Sequence, residues 1–332
     1  MSSVEVVETG FAAAPRATRV AGIAGIGAAL PATTVATEDI AARIGVEPEW
    51  ILRRTGIASR HRLAEDERLT DLAITAAVAA LDDARLAAAD LDAVLVATAS
   101  ADEVMPAAAP LVAHALGAGT AMAWDVNLAC TGFLAALEQG AALIESGRAD
   151  TVLVIAAEAL SRITDHDDRK TAALFGDGAG AMVLTPDGAM CLGRSVLRAD
   201  GTDAQSLAVD HDERLVRMDG QLVFQRAVAG MERDCRDVLA AAGVAIAEVG
   251  LVVPHQANAR ITLALSERLG LPPERVVDAI RHHGNTGAAS IPLALEHARA
   301  EGRVPESGFV LLTAFGAGFA SGALLLELPE VA

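Results

Sequence analysis

Three short segments of this 332-residue chain place reactive side chains where backbone geometry could serve chemistry. Cys130 closes the run DVNLAC (125–130) and is followed at once by Thr131, Gly132 and an Ala/Leu-rich stretch. That order predicts an extended segment ending at a helix N-terminus, where unpaired N–H groups and the helix dipole favour a thiolate and make the thiol nucleophilic. His255 stands in VVPHQAN (252–258), just past an apolar strand-like run, where the ligand-facing residues of α/β sheets collect. Asn285 stands in HGNTG (283–287), where glycine permits close backbone approach. A neutral imidazole N–H and an amide N–H can together hold a developing enolate oxygen, the charge left when a malonyl thioester loses CO2. Each residue also has a plainer reading: a buried structural cysteine, a strand-end histidine with satisfied ring nitrogens, an asparagine helix cap. Cys191 and Cys235 lack the setting of Cys130 and are read as structural.

Positioning three such residues requires elements that converge. Apolar runs at 20–25, 93–98, 151–156, 181–184, 250–253, 309–313 and 322–328 alternate with helical patterns at 70–83, 131–145, 227–242, 258–269 and 290–301. This is the pattern of a layered α/β protein whose sheets are buried on both faces. A weak internal repeat accompanies it. The passage 81–98 shares its apolar rhythm with 239–256 at an offset of 158, the turn at Phe175–Gly176 recurs at Phe315–Gly316 at an offset of 140, and Cys130 aligns with Asn285 at an offset of 155. The repeat predicts two similar halves, 18–185 and 186–332, with Cys130 and Asn285 at equivalent helix starts facing one shared site. Residues 1–17 carry neither a basic leader nor an apolar signal core and are read as a mobile extension.

Composition narrows the partners. Lys plus Arg number 26 against 44 Asp plus Glu, a net charge of −18 that disfavours nucleic acid and anionic membranes. Hydrophobic residues at 52% and charged ones at 21% exclude intrinsic disorder, and an aromatic content of 3% with no Tyr leaves Ala, Val, Leu and Ile to build the core. Three irregularly spaced cysteines fit neither a disulfide framework nor a Cys-based metal site, which points to a reduced, cytoplasmic setting. The uncharged stretches 104–124 and 307–326 are broken by Pro and His or by Gly and do not read as membrane spans.

The segments WILRRTGI (50–57), DVNLACTGF (125–133), FGDGAG (175–180), PHQANARI (254–261), GNT (284–286) and FGAGF (315–319) occur in an order and spacing that resembles β-ketoacyl-ACP synthase III, a ketosynthase III-like member of the thiolase superfamily, from about 18 to 328. The resemblance implies a thiolase fold, two duplicated α/β halves in an αβαβα layering, and a homodimer. It implies a Cys-His-Asn triad at Cys130, His255 and Asn285, with oxyanion donors at the backbone N–H of Cys130 and Ala317. Trp50 and Arg169 would flank the adenine of coenzyme A, and Arg54, Gly220 and Asn258 would line the pantetheine and phosphate route. Met105 falls where relatives reach across the dimer into the partner's acyl pocket. The implied reaction joins an acyl-CoA to a malonyl thioester through an acyl-enzyme, with CoA thioesters as substrates and no metal or redox cofactor. An acyl carrier protein is a further candidate partner, met by Arg226, Arg260 and Arg268, although Gln225 and Glu267 stand where some relatives carry basic residues. Two other functions remain open: acyl transfer to an alcohol or amine without C–C bond formation, and a non-catalytic partner, against which the intact triad counts.

Overall fold

The computed structural model describes residues 19–209 and 211–329; the extension expected over 1–17 lies outside them. The chain first forms β1 (Gly22–Ala29), then a small hairpin of β2 (Thr33–Ala36) and β3 (Ser59–Arg62) enclosing α1 (Thr37–Ile44) and α2 (Pro48–Thr55). It continues through α3 (Leu69–Ala84), β4 (Ala93–Ala97), α4 (Ala108–Leu116), β5 (Met122–Val126), α5 (Gly132–Glu145), β6 (Val152–Ala159) and β7 (Asp177–Thr185). The remainder runs β8 (Met190–Ala199), a hairpin of β9 (Leu207–Val209) and β10 (Val216–Met218), α6 (Gly220–Ala242), β11 (Val249–Pro254), α7 (Ala259–Leu269), α8 (Ile280–His283), α9 (Ser290–Ala300), β12 (Gly308–Gly316) and β13 (Ala320–Leu328).

The main sheet has the order β11-β12-β13-β8-β1-β7-β6-β4-β5. Read outward from the short β1–β8 seam, where Gly22 pairs with Cys191 and Ile23 with Met190, the two sides repeat each other. One side runs β1-β7-β6-β4-β5 and the other β8-β13-β12-β11, each with antiparallel pairs near the seam and parallel pairing farther out, two pairs on the first side and one on the second. An isolated parallel bridge between Val252 and Val276 stands where a partner of β5 would extend the second side.

Strand alternation sorts the side chains into layers. Leu95, Val154, Leu251, Val253 and Leu312 point into one core with α5 and α9. Their neighbours Val94, Val96, Leu153 and Ile155 point the opposite way, onto α3 and α4. Val252 and Leu311 likewise face α6 and α7. The order is therefore helices, sheet, central helices, sheet, helices, the expected αβαβα layering. The central helices touch a sheet on each side, so residues 132–137 of α5 and 290–295 of α9 are buried without a break.

Caps explain where helices begin. Asp219 accepts from the backbone N–H of Gln221 and Leu222, so α6 starts at Gly220, seven residues ahead of the expected 227. Asn258 caps α7 through the N–H of Arg260. Among the described residues no helix is long and apolar enough to cross a membrane; the uncharged stretches fold as α4 with β5 and as β12 with β13.

Candidate active site

Cys130, His255, Asn285 and Ala317 share the wall of a cavity of 1460 Å³. Cys130 sits on the tight turn between β5 and α5. Ala129, immediately before it, has φ 44°, a conformation costly for a residue with a Cβ, and the turn is tied down by the Thr131 hydroxyl donating to the Ala320 carbonyl at 3.1 Å. Behind the thiol stands Gly316: a Cβ there would lie 2.9 Å from Cys130 N and 3.1 Å from Cys130 Cβ. His255 follows β11 and is 2% exposed, with its backbone N–H on the Thr313 carbonyl at 2.7 Å and its Nδ1 2.6 Å from Ser290 Oγ.

Asn285 belongs to the second half of the chain, but its backbone is stitched into the first: its N–H donates to the Leu174 carbonyl at 2.9 Å and its carbonyl accepts from Gly176 at 3.0 Å. Its side-chain oxygen accepts from the Gly287 N–H at 2.9 Å. The amide oxygen is thus engaged, and the NH2 group is left as the donor. Gly287 adopts φ +55°, and a Cβ on it would come 3.0 Å from Glu158 Cγ.

Burial governs the charges. It lowers His255 to about 4, so the imidazole is neutral at physiological pH. It pushes the Cys130 thiol up to about 12, with Glu158 adding to the shift and the residue's own backbone N–H opposing it. Burial thus opposes the thiolate that a helix N-terminus favours. Cys130 is half-buried, on the wall of the cavity. Burial also raises Glu158 to about 7, although Ser100 Oγ and the N–H groups of Ala99 and Ala288 donate to it.

Trp50, Arg54, Arg169, Gly220 and Asn258 all line the same cavity. Some of them also contact one another. Arg54, not Arg169, lies over the Trp50 ring, 4.2 Å from its centroid, while the Arg169 guanidinium is held by the carbonyls of Ile44 at 2.9 Å and Gly45 at 3.1 Å. The Asn258 amide also donates to the Arg54 carbonyl at 2.9 Å. Met105 is not on this wall; it is 86% exposed beside Val104 at 90%. Of the three arginines expected to meet a carrier, Arg260 lines the cavity and lies 5.6 Å from the Phe224 ring. Arg226 is paired with Asp203, and Arg268 with Glu232 at 2.9 Å. Sequence reasoning missed Glu158, Ser290 and the backing role of Gly316. Only Glu158 carried a signal, as the one acid in the otherwise apolar strand VLVIAAEA.

Two family models match the chain, 3-oxoacyl-[acyl-carrier-protein] synthase III over 124–201 and the C-terminal part of the same enzyme over 239–328. A β-ketoacyl-[acyl-carrier-protein] synthase III of Streptomyces coelicolor is 44% identical, covering 95% of this chain and 99% of the relative. The chain belongs to the β-ketoacyl-[acyl-carrier-protein] synthase III family. The synthase III of Aquifex aeolicus superposes with a TM-score of 0.90 at 42% identity over 92% of this chain and 99% of that one. The priming β-ketosynthase of the R1128 polyketide pathway gives 0.89 at 36%, over 94% and 97%. The fold is accordingly the thiolase fold of synthase III enzymes, and the two matched segments carry Cys130 with Glu158 and His255 with Asn285, Ser290 and Ala317.

Proposed function

We propose that the protein is an acyltransferase of the synthase III type, which primes fatty-acid or polyketide synthesis by condensing an acyl-CoA with a malonyl thioester. Cys130 Sγ attacks the acyl-CoA carbonyl, the oxyanion faces the N–H groups of Cys130 and Ala317, and the C–S bond to CoA breaks, with the thiol proton ending on the departing sulfur. The malonyl thioester then releases its terminal carboxylate as CO2, and the bonding pair moves to the α-carbon with charge on the thioester oxygen, held by His255 and Asn285. The carbanion attacks the acyl-enzyme carbonyl; a C–C bond forms, the C–S bond to Cys130 breaks, the freed thiolate takes up a proton from solvent, and the 3-ketoacyl thioester departs. The observation that carries this reading is the pair of donors on one cavity wall: a histidine kept neutral by burial and an asparagine whose oxygen is already committed to Gly287. In this scheme 18–185 supplies the nucleophile and 186–332 the decarboxylating pair.

Trp50, Arg54, Arg169, Gly220 and Asn258 are proposed to receive CoA, and Arg226, Arg260 and Arg268 a carrier protein. A homodimer is supported by β5, which ends the sheet with one edge unpaired among the described residues, and by the exposed Val104 and Met105. Met105 would then enter the partner's acyl pocket. Intact-protein mass spectrometry with acyl-CoA, followed by malonyl thioester, tests the division of labour. Cys130→Ala should give no adduct while staying folded. Asn285→Ala should still acylate but lose condensation by about 10²–10³, the usual effect of removing one oxyanion donor. Equal loss of both half-reactions in Asn285→Ala would overturn the assignment.

A further inference from the structure

We infer that Ser290 is a positioning residue that fixes His255 in the tautomer carrying its proton on Nε2, so that the imidazole meets substrate as a hydrogen-bond donor and not as a base. This rests on the condensation proposed above and assigns a further residue to it.

Ser290 is the first residue of α9 and is 2% exposed. Its Oγ has two neighbours among the described residues, His255 Nδ1 at 2.6 Å and the backbone N–H of Gln256 at 3.3 Å. The second can only donate. The hydroxyl proton therefore has one recorded acceptor, the Nδ1 lone pair, and a neutral imidazole that accepts at Nδ1 must carry its proton on Nε2. The opposite tautomer would leave a buried hydroxyl proton without an acceptor. It would also turn an Nε2 lone pair toward the cavity, against a developing enolate.

The surroundings hold this geometry rigidly. The Gln256 side chain donates to the carbonyls of Pro254 at 2.7 Å and Val277 at 3.2 Å and accepts from Ala279 at 2.9 Å and Ile280 at 3.1 Å, pinning the loop that follows His255. Ser290 in turn opens a helix buried between two sheets. Neither partner can rotate away without disturbing the central layer.

The test is nitrogen NMR of the full-length protein labelled with 15N-histidine, with His255 assigned among the eight histidines by difference against His255→Gln. The parent protein should show proton-bearing Nε2 and bare Nδ1. Ser290→Ala should shift His255 toward the other tautomer and slow condensation about tenfold, the effect of one lost hydrogen bond, with KM for the malonyl thioester and the acylation rate within about twofold. Ser290→Thr, which keeps the hydroxyl, should keep the parent tautomer. A parent His255 protonated on Nδ1 overturns the inference, and so does a Ser290→Ala protein with unchanged spectrum and unchanged condensation. If Ser290→Ala does not fold, the parent spectrum alone decides. Failure of the condensation reading would appear separately, as a parent protein that acylates but makes no 3-ketoacyl product.

Discussion

Replacing Gly316 by Ala probes how closely the two halves must meet at the nucleophile. The added methyl would lie 2.9 Å from Cys130 N, 3.1 Å from its Cβ and 3.3 Å from its Cα. Ordinary carbon contacts lie at about 3.5–4.0 Å, so the turn must retreat by roughly 0.6 Å or more. It has little room to do so, because Thr131 is bonded to Ala320 and α5 is locked into the central core. Overpacking of this kind destabilises by about 1–3 kcal/mol. A 1 Å displacement of reacting groups can cost about 10² in rate, so acylation should fall between about 10-fold and 10²-fold. The defect should appear in both half-reactions, since the methyl displaces both the proposed nucleophile and the N–H proposed to hold the oxyanion. Single-turnover mass spectrometry of the acyl adduct, with denaturant unfolding of the same sample, measures both effects. Acylation within about threefold of the parent at unchanged stability would refute the claim that this contact sets the position of Cys130.

Two further outcomes follow from charge. Burial raises Glu158 to about 7, so folding favours its protonated form; that contribution is complete below the ordinary glutamate pKa of about 4.3 and is lost as pH rises through about 7. Glu158→Gln should therefore gain stability relative to the parent between about pH 4.5 and 8 in denaturant unfolding, and a difference independent of pH would exclude Glu158 as the titrating group. Arg226 and Arg268, proposed to meet a carrier, are already paired with Asp203 and Glu232. Gln225→Lys with Glu267→Lys should raise kcat/KM for a malonyl-carrier at low salt, by about 0.2–1 kcal/mol per charge, and leave malonyl-CoA unaffected; an equal response to both substrates would place the effect elsewhere.

The strands that could be read from sequence are those buried on both faces: 93–98, 151–156 and 309–313 became β4, β6 and β12 with small shifts of boundary. β8 escaped because its sequence, MCLGRSVLRA, is largely exposed and interrupted by Gly and Arg, so neither an unbroken apolar run nor a clean alternation marks it. The repeat was legible because paired helix-to-strand passages keep their apolar rhythm, as α3 with β4 and α6 with β11 show. The nucleophile, its histidine and its asparagine could be nominated from local context. Their electrostatics could not: a helix N-terminus is visible in sequence, whereas the desolvation that raises Cys130 depends on walls from both halves. The Ser290–His255 contact joins residues 35 positions apart and left no local trace.

The stitching of Asn285 into the first half also bears on the order in which the chain is made. Synthesis delivers Cys130 with β5 and α5 well before β11, α9 and β12 exist. Until β12 and β13 arrive, the face of α5 that meets them lacks part of its cover, and until residue 285 is made Leu174 and Gly176 have no Asn285 to bond. A nascent or truncated chain can thus own the thiol without the wall that surrounds it. The later-made half therefore completes both the central layer and the cavity wall that Cys130, His255 and Asn285 share.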